Sequence, residues 1–153
     1  MHGVNKIIAA LLLVAVQSGQ ADQFNMPSAE KTSATSIPGC PAQDISFFIQ
    51  RFSNDESVQR IFTNVPLISQ QLDTDAEPEP RQITHTLQRE QIAFPVMPLL
   101  QERIDRLLEM QLEAVTASTA RVDLFKDDTD FLISYFFKLD DCWRLVRIEN
   151  QSL

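Results

Sequence analysis

Glycine is almost absent from this chain: of 153 residues only Gly3, Gly19 and Gly39 are glycine. Phosphate-cradling loops and dinucleotide-binding turns need several glycines where backbone must approach a ligand, so that chemistry is excluded. Histidine is as scarce, with only His2 and His85. A histidine-rich metal site is impossible. A Ser-His-Asp or Cys-His centre would have to use His85, and no nucleophile motif points to it. Cations are outnumbered, 13 Lys and Arg against 21 Asp and Glu, for a formal net charge of −8, and they are scattered without a run. Nucleic acid and anionic membrane both require clustered cations, so neither is an expected partner. Cysteine is limited to Cys40 and Cys142.

Long apolar runs are also missing, with one exception at the start. Lys6 precedes an unbroken apolar stretch of 10 residues, Ile7 to Val16, then Gln17-Ser18 and Gly19-Gln20-Ala21. A basic start, a short apolar core and a small-residue site make the three-part pattern of a secretory signal peptide. The expected cut lies between Ala21 and Asp22. A spanning helix would need about 20 apolar residues, and a lipoprotein would need a cysteine where Asp22 stands. The reading is therefore a signal peptide at 1–21 and export to the periplasm or beyond, with no membrane association after cleavage. Loss of Lys6 would take the formal charge from −8 to −9.

Export also bears on the cysteines. In an oxidising compartment Cys40 and Cys142 are expected to pair, with two free thiols as the alternative. Closing a loop of about 100 residues stabilises by roughly 4–5 kcal/mol in the chain-entropy treatment.

Residues 22–43 are rich in Ser, Thr, Ala and Pro with no apolar period and read as a flexible linker. A single domain is expected over 44–153. Ile45, Phe48, Ile49 and Phe52 form a helical stripe that Asp44 can cap. Ser53 and Glu56 make a capping box that would open a second helix, with Val58, Ile61 and Phe62 as its buried face. Period two then predicts strands at 67–72 and 81–88, joined by an acidic tip at 73–80. The tip's alternating carboxylates hint at calcium, but the positions that need Gly and Glu in a calcium loop hold Pro78 and Thr84, so no metal is expected. Ile92, Phe94 and Val96 alternate as an edge or bulge beside Pro95. A helix starting near Pro98 would turn Leu100, Ile104, Leu107 and Leu108 to the core. Strands are predicted at roughly 114–126, 130–139 and 142–149. In the middle one, Phe131, Ile133, Tyr135, Phe137 and Leu139 share a face and Leu132 and Phe136 the other, as in a central strand covered on both sides.

This order predicts an α+β fold, N-terminal helices packed on a bent antiparallel sheet. It resembles the nuclear transport factor 2-like (cystatin-like) superfamily, in which a bent sheet wraps a helix as a cone. Two stretches, Phe48-Ile-Gln-Arg-Phe52-Ser-Asn-Asp55-Glu-Ser-Val-Gln59 with Val65-Pro66-Leu67, and Tyr135 to Asn150 with its Asp-Asp-Cys-Trp143, are similar to an exported bacterial family catalogued as domain of unknown function 4348. The resemblance implies the cone for residues 44–149 and brings no functional residues, because that family has no assigned activity. The wider superfamily holds isomerases and dehydratases that use His or Asp in the cone, and many non-catalytic binders.

His85 shares parity with Ile83 and Leu87, so it is expected on the apolar side, where a cone would place its pocket. There it could act as a general base near neutral pH, oriented by Asp123, the most interior-looking acid, with Tyr135 as a pocket hydroxyl. A hydrogen-bonded core or rim histidine and a core tyrosine are the bland alternatives, and Trp143 reads as core. With one histidine and no paired-carboxylate motif, the sequence favours a non-catalytic module that binds a small molecule or a basic protein, without cofactor. The alternative is an isomerase, dehydratase or hydrolase that uses His85.

Overall fold

The computed structural model of the chain describes residues 39–153. Ala21, Asp22 and the expected cleavage site therefore lie outside the described residues, as does most of the 22–43 linker. Gly39 opens the described part at φ +90, a left-handed conformation that suits glycine. Directly after it, Cys40 is disulfide-bonded to Cys142 across a sequence separation of 102. Around this bridge Gln43 Nε2 donates to Asp141 O at 2.9 Å and the Trp143 indole donates to Gln43 O at 2.7 Å.

Helix α1, Ile45–Phe52, is capped as expected: Asp44 Oδ1 accepts from the N–H groups of Ser46 and Phe47. Its Phe48, Ile49 and Phe52 are buried. Helix α2, Glu56–Phe62, departs from the expected capping box. Asp55 is the N-cap and accepts from Ser57 N at 2.8 Å. Hydrogen bonding from the Ser57 hydroxyl and then from its N–H holds the Asp55 carboxyl below the usual range. Ser53 cannot play that part because its φ −74, ψ −9 makes it the end of α1, whereas an N-cap is extended. The later start turns α2 as well. Gln59 and Phe62 are buried and Ile61 is exposed.

Strand β1, Thr63–Asp73, and β2, Arg81–Leu87, form the predicted hairpin, with β1 starting four residues before its predicted start. Residues 92–96 are not a strand. Pro95 and Pro98 lack the N–H a ladder requires, and the segment is held instead by side chains. Ile92 and Met97 are buried, and the Gln59 amide bonds both N and O of Met97 at 3.0 and 2.9 Å.

Helix α3, Leu100–Arg106, presents the opposite face to the one expected. Leu100, Ile104 and Leu107 are 52%, 56% and 71% exposed, and Arg103 is the buried residue at 6%. Three backbone and side-chain acceptors are aimed at its guanidinium: Nη1 donates to Ser53 O and Pro98 O at 2.6 Å, and Nη2 to Asn54 Oδ1 at 3.0 Å. The end of α1 offers partial negative charge and unpaired carbonyls. Satisfying them with Arg103 leaves Leu100, Ile104 and Leu107 outside, while Leu108 packs half-buried against the core as expected.

The remaining strands are β3, Glu109–Thr116, β4, Thr119–Phe125, β5, Leu132–Leu139, and β6, Trp143–Asn150. The predicted strand at 114–126 is thus two strands, turned at Ala117-Ser118. The sheet order is β2-β1-β6-β5-β4-β3, antiparallel throughout except for the parallel β1/β6 pair. The fold class is the expected α+β, on a mixed sheet.

Both helices α1 and α2 cover one face of this sheet. Phe137 meets Phe52 edge-on at 5.1 Å and Phe48 at 6.0 Å, and Phe48 meets Phe62 at 5.7 Å. Tyr135, Val122, Leu124, Leu145 and Met97 complete the buried interior. Among the described residues no second layer covers the other face of β5, and there the Arg147 guanidinium lies 3.8 Å from the Phe136 ring centre.

A candidate groove on the outer face of the sheet

Strand register places each predicted site residue. His85 lies opposite Ser69, Ser69 opposite Ile148, Ile148 opposite Tyr135 and Tyr135 opposite Val122. Directly paired residues point to one face, so His85 does share the face of the core, as parity predicts. Yet β2 is the edge strand, beyond the reach of the helices, and His85 is exposed. The expectation of a pocket histidine is corrected: parity gave the face, and the face is uncovered there.

Asp123 pairs in register with Ser134, one step along from Val122, and so points to the opposite, outer face. Its carboxylate accepts from Ser134 Oγ at 2.7 Å and pairs with Arg121 at 3.1 Å, and Arg121 also pairs with Glu113. Four strand spacings separate β2 from β4, about 19 Å along the sheet. Asp123 is therefore a structural partner of Arg121 and Ser134 and does not orient His85.

Tyr135 is buried under α3. Loss of water around it pushes its phenol well above the ordinary range. Arg106 and Arg103 act against that shift and Glu102 adds to it. The same burial lowers the Arg103 pKa, opposed by Tyr135. A phenol held neutral, opposite Val122 and within the same buried core as Phe48, Phe52 and Met97, is a core group. His85, Asp123 and Tyr135 do not converge, and no cluster of three metal-ligating side chains exists among the described residues.

The outer face carries a feature that parity could not show. Between Phe136–Arg147 and Phe137–Leu145 the pairing of β5 and β6 slips by one residue, leaving Val146 as a bulge. Beside it, the β1/β6 pairing breaks between Thr63 and Ile68. Bulges bend a strand and re-aim its side chains. The result is a groove of about 540 Å³ bounded by Ile68, Phe136, Val146, Arg147, Lys138 and Thr119, within the size range of small-molecule sites. Its floor is apolar. At one end Lys138 lies opposite Arg144 on β6, and neither is ion-paired among the described residues. Its signal in the sequence is the apolar pair Leu132 and Phe136 on the second face of β5, a face the sequence predicts to be covered.

A solved structure of a nuclear transport factor 2-like protein from Bacteroides fragilis is similar to this chain, with a TM-score of 0.52 and 22% identity over 72% of the chain. The chain spans about half the length of that protein, 47%. The likeness concerns the fold, and the chain has a nuclear transport factor 2-like fold. No protein-family profile matches it, and no curated protein does.

Proposed function

We propose that this chain is an exported, non-catalytic binding module, akin to the exported family of unknown function 4348, and that it binds through the outer face of its sheet. The observation that carries this reading is the distribution of space. The side of the sheet where catalytic relatives of the superfamily keep their pocket is filled by Phe48, Phe52, Phe137 and Tyr135. The open groove lies behind it. Supporting the same reading, His85 is solvent-exposed with no acid in its register row. A general base needs hydrogen-bond reach to substrate and a fixed orientation, and an exposed edge position supplies neither. The signal pattern at 1–21 supports export, and the Cys40–Cys142 bridge is of the kind that persists in oxidising compartments.

A thermal-shift screen of small molecules on three proteins tests this: wild type, His85→Gln and Val146→Asp. The expected result is that stabilising ligands survive His85→Gln and are lost in Val146→Asp. Ligands kept by Val146→Asp, together with a turnover that collapses in His85→Gln, would make the chain an enzyme and overturn the proposal.

A further inference from the structure

The groove is polarised, and its polarity names a ligand class. At its cationic end Thr119 and Lys138 line the groove, and Arg144, opposite Lys138 on β6, lines the adjoining depression that shares Lys138 and Val146. Two residues further along β5 comes the row of Arg121, Phe136, Arg147 and Ile68, in which Phe136 and Ile68 are the apolar members, with Val146 in the bulge beside it. Two more residues along, Asp123 and Glu149 flank Ser134 on the same face. Each step of two residues is about 6.6 Å. The carboxylates are already engaged, Asp123 with Arg121 and Ser134, Glu149 with Arg147 at 3.2 Å. At the other end neither cation is ion-paired among the described residues, although Arg144 Nη1 donates to Ile61 O at 3.3 Å and its guanidinium lies over the Phe62 ring. Asp140 shares the Lys138 and Arg144 rim and offsets one of the two charges, which leaves one net positive charge at that end of the groove. This stands out on a chain of net charge −8.

We propose that the groove binds a free single-chain amphipathic carboxylate, with its carboxylate at Lys138 and Arg144 and its alkyl chain along Val146, Phe136 and Ile68. This rests on the reading of the chain as a binding module. One unpaired positive charge fits one anionic head. The direction follows from Lys138, the cation of the lining that has no ion pair among the described residues, whereas Arg147 is paired with Glu149. A doubly charged ligand would exceed the charge available, and a neutral chain would leave Lys138 and Arg144 unused.

The test is a calorimetric titration of the full chain with monomeric dodecanoate, dodecanol and dodecyltrimethylammonium. Dodecanoate should bind with a dissociation constant below about 1 mM, at least tenfold tighter than either analogue. Lys138→Glu, at an exposed position, should keep the melting temperature and weaken dodecanoate by about tenfold or more, and Val146→Asp should abolish binding. Ile104→Gln, on the exposed stripe of α3, should change nothing. The proposal is overturned if wild type shows no saturable binding, if the cationic analogue binds as well as dodecanoate, or if Ile104→Gln rather than Lys138→Glu removes binding. Any of these results sinks the carboxylate assignment alone. The binding-module reading falls instead on ligands kept by Val146→Asp together with a turnover that collapses in His85→Gln.

Discussion

Arg103 Nη1 donates to Ser53 O at 2.6 Å and so ties the end of α1 to α3 across a sequence separation of 50. The same guanidinium serves Pro98 O and Asn54 Oδ1, so one planar fork fixes three chain segments. Lysine has no such fork. Arg103→Lys should therefore cost about 1–3 kcal/mol, and Arg103→Ala about 2–4 kcal/mol, because buried carbonyls lose their donors. Denaturant unfolding of the two variants checks this. If Arg103→Ala unfolds at the wild-type midpoint, the clamp contributes nothing.

Leu107 ends α3 in the left-handed region, at φ 56, while 71% exposed. A non-glycine residue there is strained by about 1–2 kcal/mol, and glycine is the usual occupant. Leu107→Gly should raise stability by roughly 0.5–1 kcal/mol after the entropy that glycine adds to the unfolded chain. A core leucine would instead lose about 2–5 kcal/mol. The sign of the change, read from the melting temperature, separates the two.

Phe52 stacks edge-on against Phe137, and Trp143 is buried beside the disulfide. Phe52→Ala and Trp143→Ala should each cost about 3–5 kcal/mol. Reduction of Cys40–Cys142 should cost up to about 4–5 kcal/mol for a loop of this length. Native mass spectrometry after alkylation under denaturing, non-reducing conditions should find neither cysteine labelled. Labelling of both would contradict the bridge.

Tyr135 is the only tyrosine in the chain, which makes its ionisation directly visible by ultraviolet absorbance. Burial raises its pKa above the free value of 10.0. The folded state therefore holds its proton where the unfolded state releases it. The contribution to stability is full below pH 10 and is lost as pH rises above it. Tyrosinate should appear together with unfolding in an alkaline titration, and Tyr135→Phe should flatten that limb. Ionisation near pH 10 in the still-folded protein would show the phenol to be wet.

Much of the fold was legible in the sequence because periodicity reports which residues share a face. The α1 stripe, the hairpin and the alternation of Tyr135 and Phe137 were of this kind. Periodicity does not report whether a face is covered. That is why His85 was placed with the core when its strand is an edge, and why Leu100 and Ile104 were turned inward when the carbonyls at the end of α1 required Arg103 there. The segment 92–96 alternates as a strand does, but its prolines remove the donors a ladder needs. The groove was least legible. It arises from a one-residue slip between β5 and β6 that no side-chain pattern encodes, and only the apolar Leu132 and Phe136 on the second face of β5 mark it.

The central claim is that the chain works by binding on the outer face of its sheet, and an amide chemical-shift map during a dodecanoate titration tests it most directly. The account predicts shifts concentrated at Ile68, Phe136, Lys138, Val146 and Arg147, with His85 and its neighbours on β2 unmoved. Shifts centred on His85, or spread through the interior around Tyr135 and Met97, would contradict it.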